Sequence, residues 1–191
     1  MAYRIVTDSA SNLCEEMIDE FGLEVLPLTF MVNGVEYRSY LKGAKTDLKQ
    51  FYTMMREGKI ITTSLPNMQE TEKALRGILD AGDDILYLGF SSALSGTYEA
   101  TELLMKQLAR EYPERTLRAE ETFAASGGEG MLVYLACKKA AEGASLDDVG
   151  DFVVATRDHL CHWFTVDDLM FLFRGGRVGR TSAWAGTMLN I

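Results

Sequence analysis

The chain has 191 residues, 28 acidic against 19 basic side chains, and a formal net charge of −9. That length fits one large α/β domain, or one domain and a remainder, and buries roughly 70% of its unfolded surface without a disulfide or metal staple. An apolar share of 47% and a charged share of 25% exclude disorder, collagen and coiled coil, and a pI near 4.8 weighs against nucleic acid and against a polybasic hold on anionic lipid.

Tyr3-Arg4-Ile5-Val6-Thr7 predicts a buried strand that feeds the polar turn at Asp8-Ser9. Asn12 is placed to cap a helix with Leu13, Met17, Ile18 and Phe21 on its apolar face and Gly22 at its end. Leu23 to Phe30 predicts a second strand, and Asn33-Gly34 between two apolar runs predicts a type I′ hairpin. A helix over 46–57 stops at Gly58, residues 60–63 are extended, and Pro66 leads into a helix ending near Gly82.

Residues 84–90 predict a strand, 91–97 a small-residue loop, and the next helix runs to about Tyr112. A short strand over 116–121 precedes a helix over 126–142 opened by Gly127-Gly128-Glu129-Gly130. Ser145 caps a helix through Leu160, and 161–166 predict the last strand. Strands alternating with helices predict an α/β fold, a mostly parallel sheet covered by helices on both faces.

The sequence finishes on an apolar run, 183–191, carrying Trp184, Met188 and Leu189. A chain ending this way reads as cut within a second domain. The expected organisation is an N-terminal α/β domain over 1–160 and the beginning of a truncated second α/β domain over 161–191. Cys14, Cys137 and Cys161 are odd in number and widely spaced, as in reduced cytosolic thiols. No secretory signal and no run of 18 apolar residues is visible, so a cytoplasmic protein without stable membrane insertion is expected.

The chemistry-bearing residues are few. His159 and His162 are the only histidines, and they flank a predicted helix-to-strand boundary that would splay their rings, so no metal site is expected. Arg174-Gly175-Gly176-Arg177-Val178-Gly179-Arg180-Thr181 fails the phosphate-loop pattern, since Arg174 stands where its first glycine belongs. That segment is either a helix C-cap with solvated arginines or an anion or partner contact made by Arg174, Arg177 and Arg180. No Gly-x-Ser-x-Gly elbow surrounds Ser91 or Ser95.

Three hydroxyl-rich turns remain, each read as following a strand and preceding a helix: Thr7-Asp8-Ser9-Ala10-Ser11, Thr62-Thr63-Ser64-Leu65-Pro66 and Ser91-Ser92-Ala93-Leu94-Ser95-Gly96-Thr97. Singly, each reads as helix capping. Gathered at the carboxyl edge of an open parallel sheet, they predict an anion pocket without hydrolytic machinery.

These turns resemble the DegV family, bacterial fatty-acid-binding proteins. The resemblance extends through Ser126-Gly127-Gly128-Glu129-Gly130 and Val166-Asp167-Asp168-Leu169 to Arg174-Gly175-Gly176-Arg177, nearly the whole chain. It implies a two-domain α/β protein with a long-chain fatty acid in a tunnel between the domains, and Thr63 and Ser95 on its carboxylate. Ser64, Gly96, Thr97, Asp8, Ser9 and Arg177 complete the implied ligand set, with Arg174 and Arg180 toward a partner.

That partner would be the ATP-dependent catalytic subunit of a fatty acid kinase, which phosphorylates the presented carboxylate to an acyl phosphate for phospholipid synthesis. The chain itself would be no enzyme and would carry no cofactor. Leu65 and Asn67 depart from the family's usual glutamine and serine, and Glu121-Thr122 stands for its Asp-Ser. The family's carboxylate-binding histidine lies beyond Ile191, and neither His159 nor His162 matches it. The alternative is an enzyme acting on a phosphorylated small molecule with Asp8, Ser95 and Arg177 at its site.

Overall fold

A computed structural model describes residues 2–40, 42–43, 47–166 and 168–179. The chain divides into two compact units, Met1–Cys161 and His162–Ile191.

The first unit is built on a four-stranded parallel sheet in the order β2-β1-β6-β7, formed by β1 (Tyr3–Asp8), β2 (Glu24–Leu26), β6 (Asp84–Gly89) and β7 (Leu117–Glu121). Every residue of β6 is buried, as expected of a parallel strand covered on both sides. On one face Ile5, Leu86 and Leu88 pack with α1 (Glu15–Phe21), α5 (Ser126–Ala141) and α6 (Leu146–Arg157). On the other, Val6, Ile85 and Tyr87 pack with α3 (Met68–Asp80) and α4 (Thr97–Glu111). The predicted α/β architecture with helices on both faces is present.

A second sheet modifies the prediction. Strands β3 (Thr29–Val32), β4 (Val35–Arg38) and β5 (Ile61–Ser64) form an antiparallel sheet in the order β4-β3-β5. The run 23–30 is therefore two strands in two sheets. Pro27 ends the first, because it has no N–H to offer a ladder. Asn33 (φ 51°) and Gly34 (φ 83°) make the expected tight turn between β3 and β4. Thr62, Thr63 and Ser64 are strand residues of this sheet, not a turn at the parallel sheet's edge.

Two further expectations are corrected. Asn12 does not cap α1: it takes a left-handed conformation (φ 52°) closing a single 3-10 turn over Ser9–Ser11, and the helix begins at Glu15. The apolar pattern at 161–166 forms no strand, since no neighbour supplies a ladder there; Trp163 and Phe164 are 96% and 78% exposed. By contrast Ser145 caps α6 as expected, completing a capping box with Asp148. Asn67 and Asp47 likewise cap α3 and α2 (Leu48–Arg56).

In the second unit, Asp168 caps the short α7 (Leu169–Arg174) by accepting from the Met170 N–H at 2.8 Å. Gly176 (φ 77°) turns the chain after it. Arg180, Trp184, Met188 and Leu189 lie outside the described residues.

Candidate functional site

The strand order fixes where a ligand fits. From β1 the chain crosses by α1 to β2; from β6, its neighbour, it crosses by α4 to β7 on the opposite side. The two crossovers lie on opposite faces, so the carboxyl ends of β1 and β6 part at a topological switch point, the crevice where open α/β sheets bind ligands. Two of the three hydroxyl-rich segments stand there: 7–11 after β1 and 91–97 after β6. The third arrives from the antiparallel sheet. A Cβ placed on Gly96 would lie 3.9 Å from Leu65 Cδ2, which sets the end of β5 against the 91–97 loop. Thr29 Oγ1 donates to the Leu65 carbonyl at 3.3 Å and holds that end in place.

Thr63 is exposed, pairs with Phe30, and shares the face of that ring and Tyr37; Ser64 pairs with Thr29 on the other face and is also exposed. Ser95 is half-buried just before α4. Its hydroxyl lies 2.8 Å from Thr97 Oγ1 and accepts from the Thr97 N–H at 3.3 Å. Gly96 takes the N-cap position of this 15-residue helix without a side chain of its own. The first-turn N–H groups of α4, and the partial positive charge they carry, therefore adjoin the Ser95 hydroxyl.

The first turn is committed differently. Asp8 is fully buried; its Oδ1 accepts from the Ala10 N–H at 3.0 Å, and its Oδ2 from the Phe90 N–H and the Tyr87 hydroxyl, each at 3.1 Å. Burial pushes its carboxyl upward, and those three donors pull it back. Ser9 Oγ accepts from the Leu28 N–H at 3.0 Å and lies 2.6 Å from Ser39 Oγ, whose own proton goes to the Leu28 carbonyl. Ser9 thus ties the switch point to the base of the antiparallel sheet. Ser11 Oγ donates to the Asp8 carbonyl.

The loop after β7 closes the third side. Ser92 N–H donates to Glu121 Oε1 at 2.7 Å, Ser91 N–H to the Ala124 carbonyl, and Thr122 Oγ1 to the Gly89 carbonyl. Glu121 therefore holds the 91–97 loop by its side chain, and Thr122 holds the end of β6 from which that loop departs. Arg157 reinforces this edge, donating to the Glu121 carbonyl at 2.9 Å and lying 4.1 Å over the Phe123 ring.

Sequence reasoning passed over three residues here. Glu129 is fully buried at the start of α5; Thr7 Oγ1 donates to its Oε1 at 3.4 Å, and its Oε2 has no hydrogen-bond partner. Burial, then the Asp8 charge, pushes its carboxyl up to about 10, so it is a neutral acid near pH 7. Gly130 ends the glycine-rich opening of α5, and a Cβ there would lie 2.4 Å from the Ser11 carbonyl oxygen. Tyr87 lies within the strand expected over 84–90, and only the fold shows its hydroxyl on Asp8.

The arginines lie in the second unit. Arg174 lies over the Phe171 ring at 5.3 Å, and Arg177 Nη1 donates to the Gly175 carbonyl at 2.5 Å. Among the described residues no group of three His, Cys, Asp or Glu could hold a metal ion, and His159 Nδ1 pairs with the Ala155 carbonyl. Two open surface depressions, about 380 Å³ beside α2 and about 490 Å³ along α3, are lined by charged side chains and include none of the three segments. No helix among the described residues is long and apolar enough to cross a membrane.

Known proteins share this chain's sequence pattern and fold. A DegV domain-containing protein of Clostridium perfringens is 37% identical over 187 residues, covering 98% of this chain and 64% of the relative. One from Streptococcus pyogenes is 34% identical over 192 residues, covering all of this chain and 66% of its own length. The chain thus spans about two-thirds of the length of these relatives. Among solved structures, a Thermus thermophilus protein described as a fatty-acid-binding DegV family protein superimposes with a TM-score of 0.84 at 35% identity, over 100% of this chain and 65% of that one. The Bacillus subtilis DegV protein shares the fold, with a TM-score of 0.77 at 23% identity over 97% of this chain and 64% of that one. The family model described as "Uncharacterised protein, DegV family" matches residues 2–191, and the chain belongs to that family.

Proposed function

We propose that this chain binds a long-chain fatty acid, with the carboxylate held by Thr63 and Ser95, and presents it to a separate ATP-dependent kinase subunit that forms the acyl phosphate. The observation that carries this reading is the meeting of Leu65 with Gly96, which brings the end of β5 to the Ser95 loop at the switch point. The Thermus relative, alike over the whole chain, is a fatty-acid binder, and that supports the ligand class.

The physics of such a ligand is coherent. Each buried methylene contributes about 0.8 kcal/mol, so a dozen give on the order of 10 kcal/mol before the costs of association. A stranded carboxylate would cancel several kcal/mol of that. Hydroxyls at Thr63 and Ser95, with Ser64, Gly96, Thr97 and the first turn of α4 beside them, offset the penalty. Asp8 and Ser9 serve the same site by holding its frame. On the sequence pattern alone, Arg177 is assigned to the ligand and Arg174 and Arg180 to the kinase subunit.

In this reading the chain makes and breaks no bond and works in the cytoplasm. An enzyme using Asp8, Ser95 and Arg177 on a phosphorylated substrate draws less support, because Asp8 is buried with both oxygens engaged. Native mass spectrometry of the freshly purified chain tests the proposal. A fixed mass increment that fragments to a fatty acid supports it; a chain that stays at its bare mass after incubation with palmitate refutes it.

A further inference from the structure

Among the described residues Tyr87 is the largest fully buried side chain, and the chain makes unusual room for it. A Cβ on Gly89 would lie 2.6 Å from the Tyr87 hydroxyl oxygen and 2.7 Å from the ring, so any larger residue two positions on would exclude the ring from where it lies. Freed by that glycine, the ring runs along β6 toward its carboxyl end, and its hydroxyl donates to Asp8 Oδ2.

The same carboxylate oxygen accepts from the Phe90 N–H, the first amide beyond β6. The Tyr87 ring also stacks with Tyr98, with centroids 6.2 Å apart and planes inclined by 13°. Tyr98 is the second residue of α4. One tyrosine therefore touches both ends of the connection that carries Ser95: the start through Asp8 and Phe90, the end through Tyr98. Between them, Ser95 N–H donates to the Ser91 carbonyl and its hydroxyl accepts from the Thr97 N–H, so the loop has few ways to relax once its ends are fixed.

We infer that Tyr87 and Asp8 are positioning residues of the headgroup site, a buried clamp that sets the direction of the Ser95 hydroxyl and of the first N–H groups of α4. Neither touches ligand; both act through the 90–97 connection. Orientation of this kind matters because donors fixed before binding need not be ordered by it. The Asp8 oxygens are spent on this frame, one on the Ala10 N–H and the other on the Phe90 N–H and the Tyr87 hydroxyl.

The ligand consequence rests on the proposed function, whereas the clamp itself does not, and two measurements keep them apart. In the ligand-free chain, Tyr87→Phe removes one hydroxyl and keeps the ring. Amide exchange at Phe90 and across 91–97 is expected to quicken by about ten-fold or more, with β1 and β7 amides unchanged. Unchanged exchange in that loop overturns the clamp whatever the ligand.

In the loaded chain, Tyr87→Phe is expected to weaken palmitate about five-fold or more, while 1-hexadecanol, which lacks the carboxylate, stays within about two-fold. A merely structural loss would lower both together, and that result also overturns the proposal. Should wild type bind no palmitate, the proposed function falls and the exchange measurement still decides the clamp. Asp8→Asn, near its parent in volume, gives the same pair of readouts if Tyr87→Phe does not fold.

Discussion

Leu65 Cδ2 and the α-carbon of Gly96 meet with room for one methyl group between them, at 3.9 Å from where a Cβ would stand. This approach sets the end of β5 beside the start of α4, at the point proposed for the carboxylate. Gly96 has an ordinary negative φ of −74°, so alanine is free of strain there. Gly96→Ala is expected to change stability by less than about 0.5 kcal/mol and to leave palmitate binding intact. Gly96→Phe would wedge the two segments apart and weaken palmitate about ten-fold or more with a small change in melting temperature. Equal binding by both variants, measured by displacement of a fluorescent fatty acid, would contradict the contact.

Glu129 predicts a pH dependence whose sign is fixed. Its carboxyl is raised from an ordinary 4.5 to about 10, by burial first and the Asp8 charge second. Between those values the folded chain holds a proton that the unfolded chain releases. The stability associated with Glu129 is complete below about pH 4.5 and falls as the pH rises through about 10. At pH 7 the uptake of that proton costs about 3 kcal/mol. Glu129→Gln is neutral at every pH and is expected to gain up to about that amount at pH 7, the gain shrinking toward pH 4.5. Urea unfolding at pH 5, 7 and 9 checks it; a difference between the two chains that does not grow with pH contradicts a neutral Glu129.

Much of the first unit was legible because its signals are local. The Asn33-Gly34 turn, the cap at Ser145, and the apolar run of the strand at 84–89 are patterns contained within a few residues. The assembly of that hairpin with β5 into a second sheet was not legible, since it depends on Pro27 breaking one apolar run into strands of two sheets. Pairing partners 30 residues apart leave no periodicity to read. At the site, Thr63 and Ser95 stood out as hydroxyls in turns. The Asp8–Tyr87 contact spans 79 residues, and the fit of Tyr87 over Gly89 is a matter of shape that a strand pattern does not carry. The segment 161–166 shows the converse: its composition suits a strand, and no ladder meets it.

Gly130 tests how closely α5 closes over the switch point. A methyl group there would stand 2.4 Å from the Ser11 carbonyl oxygen, a backbone atom that cannot turn aside. Helix propensity favours alanine by about 1 kcal/mol, but the overlap outweighs it, and Gly130→Ala is expected to cost a net 1–3 kcal/mol, roughly. The urea midpoint should fall with an unchanged slope. A midpoint equal to or above wild type would contradict the close approach.

The central claim is that Thr63 and Ser95 share one carboxylate, and a double-mutant cycle on palmitate affinity tests it most directly. Ser95→Ala and Thr63→Ala are each expected to weaken binding by about 1–3 kcal/mol. The double variant should lose less than the sum of the two by about 0.5 kcal/mol or more, because both hydroxyls serve the same anion. Additive losses, or a single variant that binds palmitate as wild type does, would contradict the account.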